Sequence, residues 1–319
     1  MKKVISSIVM ICSIASATPI IMESGYIKAG VSDDGTFGVG GTTSPGILFD
    51  ENGTGNYIED DYLTPGRPFE FFSVKADGAL YTNNNDDYAS HDMDTNISGD
   101  IHNVEVVSVT PDNALRITQT YTLESGSKII DITVTIKNIS TNTIEEVHYG
   151  RGLDPDVDHQ TYSVFETNNT RGLTTIPASD IVIAEGERTK KIIALHTNTT
   201  YEHNTSIDAG WSIDTDVILS GKDDGYGDNT INIAFNLGSL NSGEEVSFSY
   251  QYILGKDAIE LSDIIAVSDI IAENSSRNDN SLVPSEGNAP AYGFGSLFIM
   301  FLMFGLLSYQ KINGREVRD

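Results

Sequence analysis

An alternation of apolar and polar residues marks the middle of the chain. Three segments carry it, at residues 103–110, 114–123 and 128–137. In the last of them Ile130 and Ile132 flank Asp131, and this period of two places one face of a β-strand in a core and the other in water. The turn-forming stretches Asp112-Asn113 and Ser125-Gly126-Ser127 separate the segments. The pattern therefore predicts a three-stranded antiparallel meander.

Runs of the same kind continue on both sides of this meander. We predict further strands at residues 70–74, 144–150, 162–166, 191–197, 230–236 and 246–254. Long antiparallel strands joined by turns are typical of two sheets packed face to face. Residues 18–256 are therefore predicted to form an all-β domain, a large antiparallel β-sandwich.

One helix is predicted after the sandwich. Residues 257–273 contain the phrase Ser-Asp-Ile-Ile-Ala twice, and apolar residues such as Leu261 and Ile265 recur on one side, so the helix is amphipathic. From residue 274 to residue 290 the chain is polar and rich in helix breakers. We predict a disordered linker there.

Both ends of the chain carry membrane-type segments. A basic start, an apolar run and a closing Ala15-Ser16-Ala17 predict a secretory signal peptide at residues 1–17. Residues 291–309 are largely apolar and precede a basic tail at residues 310–319, which predicts a single transmembrane helix with a cytoplasmic end. The protein is therefore expected to be exported and held at the cell surface or on the outer face of the membrane.

The layout of the C-terminal tail also resembles the tripartite surface-sorting signals of prokaryotic proteins. A segment with proline and glycine, Val283-Pro284-Ser285-Glu286-Gly287, precedes the apolar run and the basic end. The resemblance implies that a membrane protease removes the tail. The Pro-Glu-Pro box and the paired glycines with an arginine cluster are absent, so simple anchoring by the tail stays open.

The charge balance narrows the choice of partners. The 319 residues carry a formal net charge of -27, with a sequence pI of about 4.3. This balance argues against nucleic-acid binding, because lysine and arginine supply that affinity by neutralising phosphates. The single cysteine, Cys12, lies in the predicted signal peptide. The mature chain is therefore predicted to have no disulfide and no thiolate site.

Two acidic loops are candidates for a metal site. They contain Asp154, Asp156 and Asp158 in the first and Asp223, Asp224 and Asp228 in the second. Carboxylates at alternate positions of a loop can direct several oxygens to one place, as a hard cation such as Ca²⁺ requires. The first loop departs from the EF-hand pattern, because His159 stands where a glycine belongs. Aspartates in ordinary turns also accept hydrogen bonds from nearby backbone N–H groups, and both interpretations stay open.

No catalytic motif is present. The sequence lacks the His-Glu-x-x-His motif, the nucleophile elbow and the phosphate-binding glycine loop. Trp211, the only tryptophan, is a candidate for stacking on a sugar ring, although a lone tryptophan in a sandwich also suits the core. Arg151, beside the first acidic loop, is the second candidate for binding a ligand, and it can equally neutralise a neighbouring aspartate.

Several short motifs resemble the galactose mutarotase-like supersandwich of carbohydrate-related proteins. Tyr121-Thr122-Leu123 precedes a strand that ends in Lys137-Asn138, and the turn Leu240-Asn241-Ser242-Gly243-Glu244 introduces a last long strand. The resemblance covers residues 25–260 and implies the supersandwich fold. In the epimerases of that superfamily a histidine donates a proton to the sugar and a late glutamate accepts one. His148 is the nearest match, but its His-x-x-Phe context and the glutamate are missing, so the fold carries over and the activity does not.

These patterns predict an exported, surface-anchored protein with a structural, adhesive or glycan-binding role and without enzymatic activity. Its expected partners are a cell-surface glycan or another envelope protein, and the membrane through the C-terminal helix. Bound Ca²⁺ is expected to stabilise it. The alternative is a carbohydrate-active enzyme, an epimerase, lyase or hydrolase, in which His148 or the carboxylates of residues 154–158 act as acid and base.

Overall fold

Antiparallel strands account for most of the regular secondary structure, as the alternation of the sequence predicts. The computed structural model describes residues 18–39, 43–57, 61–85 and 91–280. The predicted signal peptide, transmembrane helix and basic tail lie outside these residues. Within the described part of the chain, no helix combines the length and the apolar character needed to cross a membrane.

The strands form three antiparallel sheets. The small sheet has the order β1 (Ile20–Glu23), β2 (Ile27–Val31) and β3 (Ile47–Phe49). The five-stranded sheet has the order β14 (Glu202–Asp208), β15 (Thr230–Asn236), β10 (His148–Leu153), β4 (Glu70–Ala76) and β5 (Ala79–Asn84). The eight-stranded sheet has the order β11 (Thr167–Arg171), β12 (Ile181–Gly186), β13 (Ile192–His196), β16 (Glu245–Gly255), β9 (Ile129–Asn138), β8 (Leu115–Thr122), β7 (Asn103–Val109) and β6 (Asp94–Gly99).

The main core lies between the five-stranded and the eight-stranded sheets. In β9 the buried side chains of Ile130 and Ile132 alternate with polar ones, and the predicted meander of β7, β8 and β9 is confirmed. Aromatic rings join the two sheets, since Phe235 of β15 lies 4.4 Å from Phe248 of β16 between ring centroids. Full burial of each such apolar side chain is worth about 1.5–3 kcal/mol. The sandwich prediction is therefore correct in its architecture.

One predicted strand is absent and another is shorter than predicted, and in both cases a residue in the left-handed region explains the difference. The strand predicted at residues 162–166 is wrong, because α1 (His159–Tyr162) ends there and Ser163 has a φ of 55°. The strand predicted at residues 144–150 begins only at His148, because Glu146 has a φ of 51°. An L-residue at positive φ cannot continue an extended strand.

Two further helices lie on the outside of the sheets. The short α2 (Thr215–Leu219) covers the five-stranded sheet, where Ile218 packs near Gly150 of β10. The last helix, α3 (Ala258–Asn280), begins after Asp257, whose carboxylate accepts the N–H groups of the first turn. Its buried Leu261 packs against the outer face of β12, β13 and β16. The predicted amphipathic helix is present and continues to Asn280, beyond its predicted end at residue 273.

The chain divides into two compact units, residues 1–267 and residues 268–319. The first unit contains the three sheets, the two short helices and the start of α3. The described part of the second unit is the remainder of that helix.

Candidate functional site

Strand β10, the middle strand of the five-stranded sheet, ends in an acidic turn at one end of the sandwich. Asp154 and Asp156 follow Leu153, the last residue of the strand. Two backbone hydrogen bonds fix the turn, because the N–H of Asp154 donates to the carbonyl of Phe69 at 2.8 Å and that of Asp156 to the carbonyl of Tyr62 at 2.9 Å. The segment that leads into β4 therefore sets the position of both carboxylates.

Asp228 reaches the same place from the loop before β15. Strands β10 and β15 are antiparallel neighbours, with Leu153 opposite Ile231. Continued past the end of the strand, this register brings Asp228 opposite Asp156. Strand pairing thus joins two acidic loops that are distant in the sequence.

Backbone hydrogen bonds hold the loop that carries Asp228. Gly227 exchanges two of them with Thr167, each 3.1 Å long. The side-chain amides of Asn169 and Asn229 both donate to the carbonyl of Gly225, at 3.1 Å. These hydrogen bonds within the protein therefore hold the loop in place without a bound ligand.

We call Asp154, Asp156 and Asp228 the acidic rim. One carboxylate oxygen of each residue lies within 4.8 Å of the other two. Asp154 and Asp156 are buried, while Asp228 is exposed. Oδ1 of Asp156 has no hydrogen-bond partner among the described residues. The acidic rim therefore combines crowded negative charge with an unsatisfied buried acceptor.

The pKa values of the acidic rim are all raised. Burial, followed by the charges of Asp154, Asp228 and Asp61, raises the pKa of Asp156 to about 9. Burial and then the neighbouring Asp228 raise the pKa of Asp154 well above its usual value. Burial and then Glu166 raise the pKa of Asp228. No positively charged side chain of the described residues contributes to these shifts, so the carboxyl groups either take up protons or share a cation.

Asp158 does not belong to the acidic rim. It is fully buried, and its carboxylate accepts hydrogen bonds from the backbone N–H of Arg188 at 2.5 Å and from the hydroxyl of Thr189 at 2.6 Å. These bonds close the turn between β12 and β13. The aspartate is therefore structural, which corrects its prediction as a metal ligand.

Asp223 and Asp224 also lie apart from the acidic rim. The carboxylate of Asp224 accepts the N–H of Ala209 at 2.8 Å and lies 2.7 Å from Nζ of Lys222. Asp223 is exposed, and its backbone bridges to Ile207. The predicted metal ligands thus separate into the three that meet and the three that do not.

Arg151 lies in the core, which corrects its prediction as a ligand-binding residue. Its side chain has no exposed surface, and Nε donates to Oε1 of Glu70 at 2.5 Å. Nη1 donates to the hydroxyl of Tyr121 at 2.9 Å and to Oε1 of Gln119 at 3.1 Å. Burial raises the pKa of Glu70 to about 7, and the guanidinium opposes that shift. Arg151 faces inward because it shares the strand parity of the core residue Leu153.

Trp211 borders the acidic rim. Its Nε1 donates to the backbone carbonyl of Asp228 at 3.2 Å. The indole lies 5.2 Å from the ring of Phe69, and the guanidinium of Arg67 lies 5.9 Å from the indole centroid. The side chain is partly exposed and packs against a small apolar cluster that contains Phe69 and Ile218. Sugar contact by Trp211 stays a prediction.

Phe165 is a second aromatic residue beside the acidic rim, and the sequence analysis did not identify it. Its ring lies 4.1 Å from the imidazole of His159 and is exposed on the surface. The ring of Phe165 also packs closely on Gly66, which has a φ of 70°. A Cβ at position 66 would lie 2.5 Å from the phenyl ring and 3.4 Å from Oδ2 of Asp156, so the glycine leaves room for Phe165 beside the acidic rim. The available signal was an apolar residue in a polar stretch just after an acidic loop.

His148 lies far from the acidic rim. Its Nδ1 is 3.0 Å from the carboxylate of Asp216, which also pairs with Lys75. His148 begins β10 and Asp154 follows its end, so the strand separates them by roughly 20 Å. By strand parity His148 and Arg151 face opposite sides of the sheet. His148 therefore does not converge with the carboxylates of Asp154 and Asp156, which the enzymatic alternative names as the other candidates for acid and base.

Comparisons with known proteins identify the fold and no family. No family model matches the sequence, and no curated protein matches it. A bacterial glucoamylase complexed with acarbose is similar in structure, with a TM-score of 0.54 and 12% identity, over 80% of this chain and 34% of the glucoamylase. The chain therefore spans about a third of that protein.

Two other similar structures have names of sugar-active enzymes. A putative aldose 1-epimerase from Escherichia coli K12 has 12% identity and a TM-score of 0.40, over 74% of this chain and 98% of the epimerase. A galactose mutarotase related enzyme from Lactobacillus acidophilus has 13% identity and a TM-score of 0.33, over 75% and 98%. Galactose mutarotase-like proteins are thus among the neighbours, as the sequence resemblance expects. At these identities no residue role carries over.

Proposed function

We propose that this domain is carbohydrate-active and that a carbohydrate binds at the acidic rim. The observation that carries the proposal is the placement of two aromatic side chains, the partly exposed Trp211 and the exposed Phe165, beside the acidic rim. Aromatic rings pack on the apolar faces of sugars, and a few polar groups then fix the orientation of the ligand. The similarity of fold to the glucoamylase complexed with acarbose supports the same class of ligand.

The carboxylates contribute directional hydrogen bonds. A carboxyl group keeps acceptor capacity in either protonation state, and sugar hydroxyl groups are donors. Oδ1 of Asp156 has no partner in the described part of the chain and is free to accept one. Asp228 is exposed, so a ligand can reach the acidic rim from solvent.

A second candidate function is turnover of the carbohydrate by an epimerase, lyase or hydrolase. It is favoured by the direct contact between the carboxyl groups of Asp154 and Asp228, which lie within hydrogen-bond reach of each other. Two carboxyl groups on one substrate can divide the roles of acid and base. In this case the acidic rim, rather than His148, supplies both groups.

Tryptophan fluorescence tests the binding proposal, because Trp211 is the only tryptophan of the chain. Titration of the purified protein with a panel of oligosaccharides is expected to shift or quench its emission. Phe165→Ala and Asp228→Asn are expected to weaken the response, while Tyr81→Ala on β5 serves as the aromatic control. A panel of plant, microbial and animal glycans that leaves the emission unchanged would contradict the proposal.

Product analysis tests turnover. Any oligosaccharide that binds is incubated with the protein, and the products are examined by mass spectrometry and by NMR of the anomeric protons. Loss of turnover in both Asp154→Asn and Asp228→Asn, with activity retained in His148→Ala, would support the acidic rim as the catalytic site. Binding without any product would restrict the function to recognition.

We also propose that the protein is exported and held at the cell surface, where a glycan or another envelope protein is its partner. The sequence supports this proposal through the predicted signal peptide at residues 1–17 and the apolar segment at residues 291–309. Mass spectrometry of the protein isolated from cells tests it. Cleavage after Ala17 is expected, and the C-terminal peptide separates an anchored from a sorted product. A cytosolic product that retains Met1 would overturn the proposal.

A further inference from the structure

We propose that the acidic rim binds a calcium ion, which ties the turn after β10 to the loop before β15. Asp154 and Asp156 supply ligands from the turn, and Asp228 supplies one from the loop. The site is independent of the carbohydrate proposal, because the carboxylates would hold the ion with or without a sugar.

The spacing of the oxygens suits calcium. The oxygens of the acidic rim all lie within 4.8 Å of one another, so one cation with bonds of about 2.4 Å can reach all three. Mg²⁺ demands near-ideal octahedral geometry and gives up its bound water reluctantly, so a cluster of protein carboxylates favours Ca²⁺. Calcium also accepts water in its remaining positions, which the exposed side of Asp228 allows.

Asp156 provides a separate reason to expect a ligand. Its side chain is only 2% exposed, and Oδ1 has no hydrogen-bond partner among the described residues. A buried carboxylate without a partner is costly, and such groups in proteins are paired or coordinate a metal. A cation at the acidic rim would satisfy this oxygen and offset the repulsion among the three groups.

Other buried aspartates show what a structural role looks like in this chain. Asp61 accepts backbone N–H groups of Gly46 at 2.9 Å and of Leu63 and Thr64 at 3.1 Å. No such donor contributes to the environment of Asp156 in the part of the chain that the structure describes. The high content of aspartate therefore does not by itself explain the acidic rim.

Terbium luminescence provides a test specific to this place. Tb³⁺ occupies calcium sites and emits when an excited indole lies nearby, and Trp211 is hydrogen-bonded to Asp228 at 3.2 Å. We expect selective excitation of tryptophan in the full chain, freed of metal by chelator, to sensitise Tb³⁺. Added Ca²⁺ should displace it, with an apparent Kd of about 10⁻⁴ to 10⁻³ M, as in extracellular modules. Mg²⁺ should compete far less well.

Substitutions of single aspartates test which residues coordinate the ion. Asp156→Asn and Asp228→Asn are expected to weaken Ca²⁺ binding more than about tenfold, because loss of even an outer partner of a metal ligand costs that much. Asp223→Asn, on the same loop as Asp228, is the matched control and should bind as the parent does. Trp211→Phe should lose the sensitised emission and keep Ca²⁺ binding, which is measured by isothermal titration calorimetry. Circular dichroism establishes that each variant is folded.

Thermal unfolding gives a readout that needs no variant. Millimolar Ca²⁺ is expected to raise the Tm of the chelated protein by about 3 °C or more, since a ligand that binds only the native state stabilises it. The absence of both a Tm rise and tryptophan-sensitised emission would overturn the calcium site. Equal losses in Asp223→Asn and Asp156→Asn would overturn its location. Glycan binding in chelator is scored separately, so failure of one proposal leaves the other standing.

Discussion

Two clusters of buried ionisable residues lie close together along β10, and they differ in whether they contain both signs of charge. Arg151 points into the core and forms an ion pair with Glu70 at 2.5 Å. Three residues later, Asp154 joins Asp156 and Asp228 in a cluster with one sign of charge. Both clusters bury ionisable groups, but only the first contains its own counter-charge.

The surroundings of the two clusters explain the contrast. Four aromatic rings lie about the guanidinium of Arg151, which is closed to solvent, and two tyrosine hydroxyls accept hydrogen bonds from it. The acidic rim lies at a strand end and opens to solvent through Asp228. A neutralised cluster in a closed core serves the fold, whereas an unneutralised cluster at an open edge is suited to bind something from outside.

Breaking the core pair is expected to have the largest effect. Glu70→Gln should lower the free energy of unfolding by about 3–5 kcal/mol, because it leaves the Arg151 guanidinium buried without a counter-charge. The double variant Glu70→Leu with Arg151→Met should recover most of that loss. Urea denaturation with both variants measures the difference. A single substitution that costs less than about 1 kcal/mol would remove the contrast.

Neutralising the acidic rim is expected to act in the opposite direction. In chelator at pH 8, Asp156→Asn should raise the free energy of unfolding by about 2 kcal/mol, because the parent carboxyl group must stay protonated in the folded chain at a pH where the unfolded chain ionises it. Chemical denaturation in the presence of a chelator tests this expectation. A variant less stable than the parent under these conditions would show that Asp156 is stabilised by contacts within the protein.

The pH dependence of stability sharpens the comparison further. The raised pKa of Asp156, about 9, means that the folded chain binds a proton more tightly than the unfolded chain does. Its contribution to stability is therefore present at low pH and is lost as the pH rises through the folded pKa. In chelator, we expect the free energy of unfolding to fall by about 2.7 kcal/mol between pH 6 and pH 8, since one pKa unit corresponds to about 1.4 kcal/mol. Asp156→Asn should reduce the dependence of the free energy of unfolding on pH. If the variant keeps the same pH dependence as the parent, other titrating groups are responsible for it.

Substitution in a third, exposed cluster is expected to change the free energy of unfolding least. Lys75 pairs with Asp216, and His148 lies 3.0 Å from the same carboxylate. More than half of the Asp216 side chain is exposed, so water and salt screen the pair. Lys75→Met should change the free energy of unfolding by less than about 0.5 kcal/mol, with little dependence on calcium. A thermal shift as large as that of Glu70→Gln would show that exposure does not separate these clusters.

The sequence identified strands with one wet face and also fully covered ones such as β13 and β15, but it missed β12. In β9 the alternation of Ile130 and Ile132 with polar residues is plain, and the strand follows the prediction. In β12 the residues from Ile181 to Ala184 are all buried, since Leu261 of α3 packs on the outer face of that region. The period of two disappears when a helix covers the second face, so β12 was missed.

Part of the candidate site was predicted from the sequence. Asp154, Asp156 and Asp228 were among the nominated metal ligands, because acidic loops with glycine are recognisable locally. Glu70 was missed, although a single charged residue between Phe69 and Phe71 was a signal that it had a buried partner. Phe165 was missed because its role depends on a neighbour, Gly66, that lies far away in the sequence.

What the sequence by itself determined is local: the alternation of the strands, the acidic character of the loops and the amphipathic start of α3. Only the tertiary structure decided which carboxylates meet. The pairing of β10 with β15 brings Asp228 to Asp156, and strand parity turns Arg151 toward Glu70. Such contacts join residues that are distant along the chain, so their chemistry depends on strand order and register, which no local pattern of residues specifies.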